Sequence, residues 1–207
     1  MKKLIDGAVA FRQNDFETHE RLFSELGKEQ NPHTLFIGCS DSRLVPNMIT
    51  TTMPGELFII RNVANIVPPY QHSGEYLAAI SAIEFAIQGL EVENIVVCGH
   101  SNCGGIAALY KPAEYFQKLP HTRKWLELAL PVKEKVLKIL PEGNDASREW
   151  LTEQMNIVEQ IHHLLTYPYI AEKYEKGLLT ISGWYYIIET GEIFSYNATK
   201  GFFELIN

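Results

Sequence analysis

The sequence predicts an α/β protein with a mainly parallel central β-sheet flanked by helices, an N-terminal helical arm and a C-terminal hairpin. Three observations lead there. Short apolar, β-rich runs at residues 34–38 (TLFIG), 56–61 (ELFIIR) and 94–98 (NIVVC) are nearly continuous, as strands buried on both faces are. Stretches with apolar residues at three- and four-residue steps alternate with them. The first and third runs open into small polar and sulfur-bearing clusters, as loops at the carboxyl ends of parallel strands do.

The elements follow in order. Over residues 1–29, Leu4, Ile5, Val9, Phe11, Phe16, Leu22, Phe23 and Leu26 recur at roughly helical spacing, and Asn31-Pro32 ends the arm. The first strand stops at Cys39-Ser40-Asp41-Ser42-Arg43, and Met53-Pro54-Gly55 turns the chain into the second. After the irregular Val67-Pro68-Pro69-Tyr70, Leu77, Ile80, Ile83 and Ile87 mark an amphipathic helix over 73–90, with Ser73 near its start and Gly89 near its end. The third strand enters the loop 99–105 (GHSNCGG), and a helix begins at Ile106. Residues 112–169 read as helices punctuated by Pro120, Pro131, Pro141 and Pro168, and 178–188 with 192–196 as a hairpin turning at Thr190-Gly191.

With 207 residues, no repeat and no Ser/Gly linker, one domain is expected over 1–207, divided into the arm (1–30) and an α/β core (31–207). A core of this size needs no disulfide or structural metal, so a metal would point to chemistry. Eighteen Lys and Arg against 25 Asp and Glu leave a net charge of −7, which disfavours nucleic acid and anionic membrane surfaces as partners. No run approaches the roughly 18 apolar residues of a membrane span. Asp6 and Arg12 interrupt what would have to be a signal core, so a cytoplasmic location is expected. Three cysteines make no disulfide framework and are better suited to packing, metal binding or catalysis.

Cys39 ends the first strand, while His100 and Cys103 follow the third, so adjacency of those strands would bring all three side chains together. Two thiolates and an imidazole suit zinc, and three protein ligands leave the fourth tetrahedral position open, as in catalytic sites. The H-x-x-C spacing alone equally accommodates small buried cysteines. Cys98, inside the strand, reads as core, and a redox pair with Cys103 would lack the C-x-x-C form. A phosphatase-like C-x5-R loop is absent, because Arg43 follows Cys39 by only four positions. The glycine-rich loop lacks the Lys-Ser/Thr of a P-loop.

CSDSR at 39–43, RNVAN at 61–65 and GHSNCGG at 99–105 resemble the β-class carbonic anhydrases in order and spacing. The similarity is strongest over 30–109 and looser through LLTYPYI at 164–170 and SGWYY at 182–186. It implies one zinc per chain on Cys39, His100 and Cys103, a catalytic dyad of Asp41 with Arg43, and reversible hydration of carbon dioxide through attack of zinc-bound hydroxide. Carbon dioxide and bicarbonate are the small-molecule substrates it implies, and self-association as a homodimer or homotetramer places active sites at subunit interfaces. The amphipathic arm, which must bury its apolar face somewhere, fits such an assembly. A carbon disulfide or carbonyl sulfide hydrolase on the same scaffold, or a non-catalytic zinc- or anion-binding module, are the alternatives.

Zinc lowers the pKa of bound water from about 15.7 to about 7, but two thiolates neutralise its charge and weaken that effect. Asp41 as an ionised acceptor would orient the water, and Arg43 would keep Asp41 charged. The resemblance further places Gln30, Phe58, Val63, Phe85 and Gly104 around the substrate, with Phe85 standing where a tyrosine is common. Phe36, three residues before Cys39, replaces the tryptophan of members whose aspartate closes onto the metal, so the open, plant-like form is expected; VPPYQHSG at 67–74 agrees. Ser182 stands where many members have histidine. His72 is a candidate proton shuttle, with an ordinary surface histidine as the alternative.

Overall fold

The structure, a computed structural model, describes residues 1–71, 75–141 and 144–207. It divides into two compact units, Met1–Asn31 and Pro32–Asn207. The first is helical: α1 (Lys2–Ala10) runs through a π-helical turn (Phe11–Asp15) into α2 (Phe16–Thr18), and α3 (Glu20–Leu26) follows. Phe11, Phe16 and Phe23 gather there, with Phe16 stacked on Phe23 at 5.4 Å between ring centroids. Helix α1 buries none of its residues within the chain, and Leu4, Ile5 and Val9 stay exposed.

The second unit is the expected α/β core. Its elements run β1 (Thr34–Cys39), α4 (Pro46–Thr50), β2 (Leu57–Asn62), α5 (Leu77–Glu84), β3 (Asn94–His100) and α6 (Gly104–Ala108). Then come α7 (Pro120–Leu126), α8 (Leu130–Ile139), α9 (Asp145–Leu164), α10 (Pro168–Glu175), β4 (Thr180–Tyr186), β5 (Ile193–Asn197) and β6 (Phe202–Leu205). The sheet order is β2-β1-β3-β4-β5-β6. The first four strands are mutually parallel, and β5 and β6 add antiparallel. The anticipated hairpin is β4–β5, and β6 extends it.

Burial explains the continuous apolar runs. Every residue of β1, and of β3 from Ile95 onward, is buried, and alternate side chains feed two cores. Leu35, Ile37, Ile95 and Val97 join Ile83, Ile157 and Tyr167 in one, while Phe36 and Val96 join Leu44, Ile66, Ile106 and Leu126 in the other. Helices therefore cover both faces of a parallel sheet, as such sheets require.

Helix α9 is the structural spine. Asn144 caps it by accepting from Ser147 N at 2.8 Å. Its Thr152, Glu153, Asn156, Ile157, Gln160 and Leu164 are buried at helical spacing along one face. That face lies close on β3 and β4 because Gly99 and Gly183 offer no side chain: a Cβ at either would come within 2.8 Å of Ile157. The helix expected from Ser73 differs at its start. Ser73 and His72 lie outside the described residues, and α5 begins at Leu77 after Tyr76 in the left-handed region (φ 64°). Its far end tightens into a π-helical turn, Phe85–Gly89.

Candidate metal centre

The adjacency of β1 and β3, with Gly38 opposite Cys98, brings the ends of both strands together. Cys39 closes β1, His100 closes β3, and Cys103 sits at the N-cap of α6. Their ligating atoms lie within 4.8 Å of one another, all three residues are buried, and the two sulfurs are 3.8 Å apart without a disulfide.

The imidazole is set for a cation. His100 Nδ1 lies 3.0 Å from the Ser101 carbonyl oxygen, which can only accept, so Nδ1 carries the hydrogen. Its lone pair is then left on Nε2, a buried atom without a hydrogen-bond partner among the described residues. An orphaned buried nitrogen facing two sulfurs fits zinc in donor type and number, and leaves a coordination position open.

Backbone amides converge on the sulfurs. The backbone N–H groups of Asp41 and Ala64 help to lower the Cys39 thiol, and those of Gly105 and Ile106 oppose the rise at Cys103. Donation from Cys103 draws the Cys39 thiol down to about 4 against the opposing effect of burial, while that same contact, with burial, pushes Cys103 up. Ala64 reaches Cys39 from an unusual turn, since it and Asn65 have φ values of 63° and 46°. Left-handed backbone in non-glycine residues costs of order 1 kcal/mol or more each, and such strain clusters at functional sites. Asn62 brackets the turn, donating to Ile66 O and accepting from Ile66 N, both at 2.8 Å. Asn156 of α9 donates to Ala64 O at 3.0 Å.

Asp41 and Arg43 form the expected pair. Arg43 Nε donates to Oδ1 at 2.9 Å and Nη2 to Oδ2 at 2.7 Å, and the Arg43 backbone N–H adds a 3.0 Å bond to Oδ1. This fork holds the Asp41 carboxyl well below the usual carboxylate range. Asp41 Oδ2 lies 3.8 Å from His100 Nε2, so the carboxylate borders the metal triad.

The family model described as carbonic anhydrase matches residues 34–193. A carbonic anhydrase of Helicobacter pylori (strain ATCC 700392 / 26695) is 45% identical over 208 residues, covering 99% of this chain and 94% of that protein. The carbonic anhydrase of Synechocystis is 41% identical over 201 residues, covering 95% of this chain and 71% of its own. Among solved structures, the β-carbonic anhydrase CcaA superposes with a TM-score of 0.95 at 37% identity, covering 100% of this chain and 99% of that one. One of the tetrameric β-carbonic anhydrases of Sordaria macrospora does so at 0.85 and 28%, covering 95% and 96%.

The chain belongs to the β-carbonic anhydrase family. That family is zinc-dependent, and its general reaction is the hydration of carbon dioxide.

The other anticipated residues are placed unevenly. Val63, 38% exposed, lines a cleft of about 610 Å³ with Ser40, Arg61, Tyr76 and Trp125, beside the Asp41 loop. Phe58 and Phe85 pack on each other at 6.0 Å and do not line that cleft. Gly104 starts α6 with open space where a Cβ would be. Gln30 is exposed and belongs to the first unit.

Three groups escaped the sequence reading. Arg61, at the end of β2, donates to the carbonyls of Cys39 at 3.0 Å and Asp41 at 2.6 Å, tying down the ligand loop. Glu189 accepts from Ser101 Oγ at 3.0 Å and Asn102 Nδ2 at 2.6 Å. Glu153 accepts from Cys103 N at 2.8 Å and from the Tyr185 hydroxyl at 2.7 Å. Only Arg61 carried a signal, its place in RNVAN.

Proposed function

We propose that this chain holds one zinc ion on Cys39, His100 and Cys103 and interconverts carbon dioxide and bicarbonate. The observation that carries this is the buried triad with its unpartnered His100 Nε2, bordered by the Asp41 carboxylate at 3.8 Å. Zinc held there would acidify a water and so supply a nucleophile near neutral pH. Asp41 Oδ2, at the border of the triad, is placed to accept a hydrogen bond from the nucleophile and so would direct its lone pair toward the substrate carbon. Arg43 keeps Asp41 ionised and, through its two-pronged contact, fixed in direction. The apolar flank of the cleft at Val63 receives the substrate, which has little polar surface to satisfy. Phe58, Phe85 and Gly104 complete the substrate environment in this reading.

Arg43, and not the triad, holds Asp41. Its three bonds from Arg43, and the Arg61 clamp on its own carbonyl, favour the open form. The protein works in the cytoplasm as a homodimer or homotetramer. The apolar face of α1, unburied within its own chain, and the tetrameric Sordaria macrospora relative support self-association. Three free cysteines, and the lack of any helix among the described residues long and apolar enough to cross a membrane, accord with that location.

Stopped-flow hydration of carbon dioxide by the zinc-loaded protein, from about pH 6.5 to 9, tests the reading. Activity persisting near pH 7, and falling about 100-fold or more in Asp41→Asn with zinc content unchanged, is expected. Activity only above about pH 8 would contradict the open form. Bound zinc without carbon dioxide turnover at any pH would contradict the reaction, and hydrolysis of carbonyl sulfide or carbon disulfide would then name its replacement.

A further inference from the structure

We propose that Glu153 is a positioning residue for the metal centre, holding the Cys103 ligand in place through the Cys103 backbone amide. The inference rests on the reading of Cys103 as a zinc ligand. Asn102 adopts a left-handed conformation (φ 54°), which turns the next amide, that of Cys103, inward. Cys103 is 2% exposed and its N–H meets Glu153 Oε1 at 2.8 Å. The other carboxylate oxygen accepts from the Tyr185 hydroxyl at 2.7 Å, and Tyr185 stands on β4 opposite Gly99 of β3. One carboxylate therefore ties the ligand loop to the strand beside the one that carries His100.

Its setting argues for a purpose. Glu153 is 4% exposed and takes part in no ion pair among the described residues, an expensive arrangement for a carboxylate held by two neutral donors. The helix beneath it is seated on the glycines of β3 and β4, so the carboxylate has a firm base. At the opposite side of the loop Glu189 takes the Ser101 and Asn102 side chains, while Glu153 takes the Cys103 backbone N–H. Groups that fix metal ligands from behind typically change metal affinity by 10- to 100-fold when replaced.

Two substitutions separate position from charge. Glu153→Gln keeps an oxygen for Cys103 N and can donate to the Tyr185 oxygen, but has no charge. Glu153→Asp keeps the charge and withdraws the oxygen by one methylene. Zinc affinity is read by chelator competition, and ligand geometry by the thiolate-to-metal and d–d absorption of the cobalt-substituted protein. Thr152→Val serves as a control, because Thr152 is buried on the same helix but bonds to the Tyr110 hydroxyl and to Arg148 O instead of the ligand loop.

The expected result is zinc affinity within about 3-fold of wild type, with an unchanged cobalt spectrum, for Glu153→Gln and Thr152→Val, and a loss of about 10- to 100-fold with an altered spectrum for Glu153→Asp. Wild-type affinity and spectrum in Glu153→Asp would overturn the proposal. So would an equal loss in Glu153→Gln, or in the control. A wild-type protein that binds no zinc would remove the metal-centre reading itself, and this inference with it.

Discussion

Replacing Gly99 by alanine tests the seating of α9 on the sheet. The new Cβ would stand 2.8 Å from both Cδ1 and Cγ1 of Ile157, where carbons rest at about 3.5–4.0 Å. Clearance of about 0.7 Å or more must come from a fully buried side chain whose other branch already packs over Gly183. Overpacking of this kind costs about 1–3 kcal/mol, and a chain of this length loses about 2–4 °C in Tm per kcal/mol. Gly99→Ala is therefore expected to melt about 2–12 °C below wild type. Ile157→Val, which alone costs about 0.5–1.5 kcal/mol, removes one of the two clashing atoms, so the double variant should lose at least about 1 kcal/mol less than the sum of the singles. Urea denaturation of all four proteins completes the cycle. A Gly99→Ala stability within about 0.5 kcal/mol of wild type, or strict additivity, would refute the seating argument.

Two further predictions follow. Cys98→Ala should retain about one zinc per chain by metal analysis, because the Cys98 thiol is fully buried, donates to Gly99 O and has its pKa pushed far up by burial; loss of zinc would contradict its role as core. His163 donates to Val67 O at 2.7 Å, and burial holds its pKa below the ordinary histidine value, aided by His162 and Lys135 and opposed by the Val67 carbonyl and Glu159. The unfolded chain takes up a proton below about pH 6.5 that the folded protein refuses, so this contribution to stability is complete above that pH and declines as the pH falls. The drop in Tm from about pH 7.5 to 5.5 should be smaller in His163→Asn, and an unchanged slope would contradict this.

How far the sequence could be read depended on how local each signal was. The runs TLFIG and NIVVC were legible because central parallel strands must be apolar throughout, and the Cys39, His100 and Cys103 cluster was legible because each member ends or follows such a run. Helix α4 and strand β6 were not, being too short to show a period. Glu153 was illegible for a different reason. In LTEQMNIVEQIHH it looks like any solvated helix charge, and only the packing of α9 on two glycine-bearing strands turns it toward Cys103, 50 positions away. The burial of the His163 side chain against Val67 was likewise hidden, since in that run it looks no different from His162 beside it. Phe58 and Phe85 were placed by the resemblance and not by any local pattern, and their mutual ring packing at 6.0 Å is a tertiary contact that no period in the chain announces.

Zinc K-edge absorption spectroscopy on the stoichiometrically loaded protein tests the metal centre most directly. The account predicts about one zinc per chain with two sulfur ligands near 2.3 Å and the His100 nitrogen near 2.0–2.1 Å, and loss of one sulfur in Cys39→Ser and in Cys103→Ser. A wild-type shell without sulfur, or one that stays unchanged in both serine variants, would contradict it.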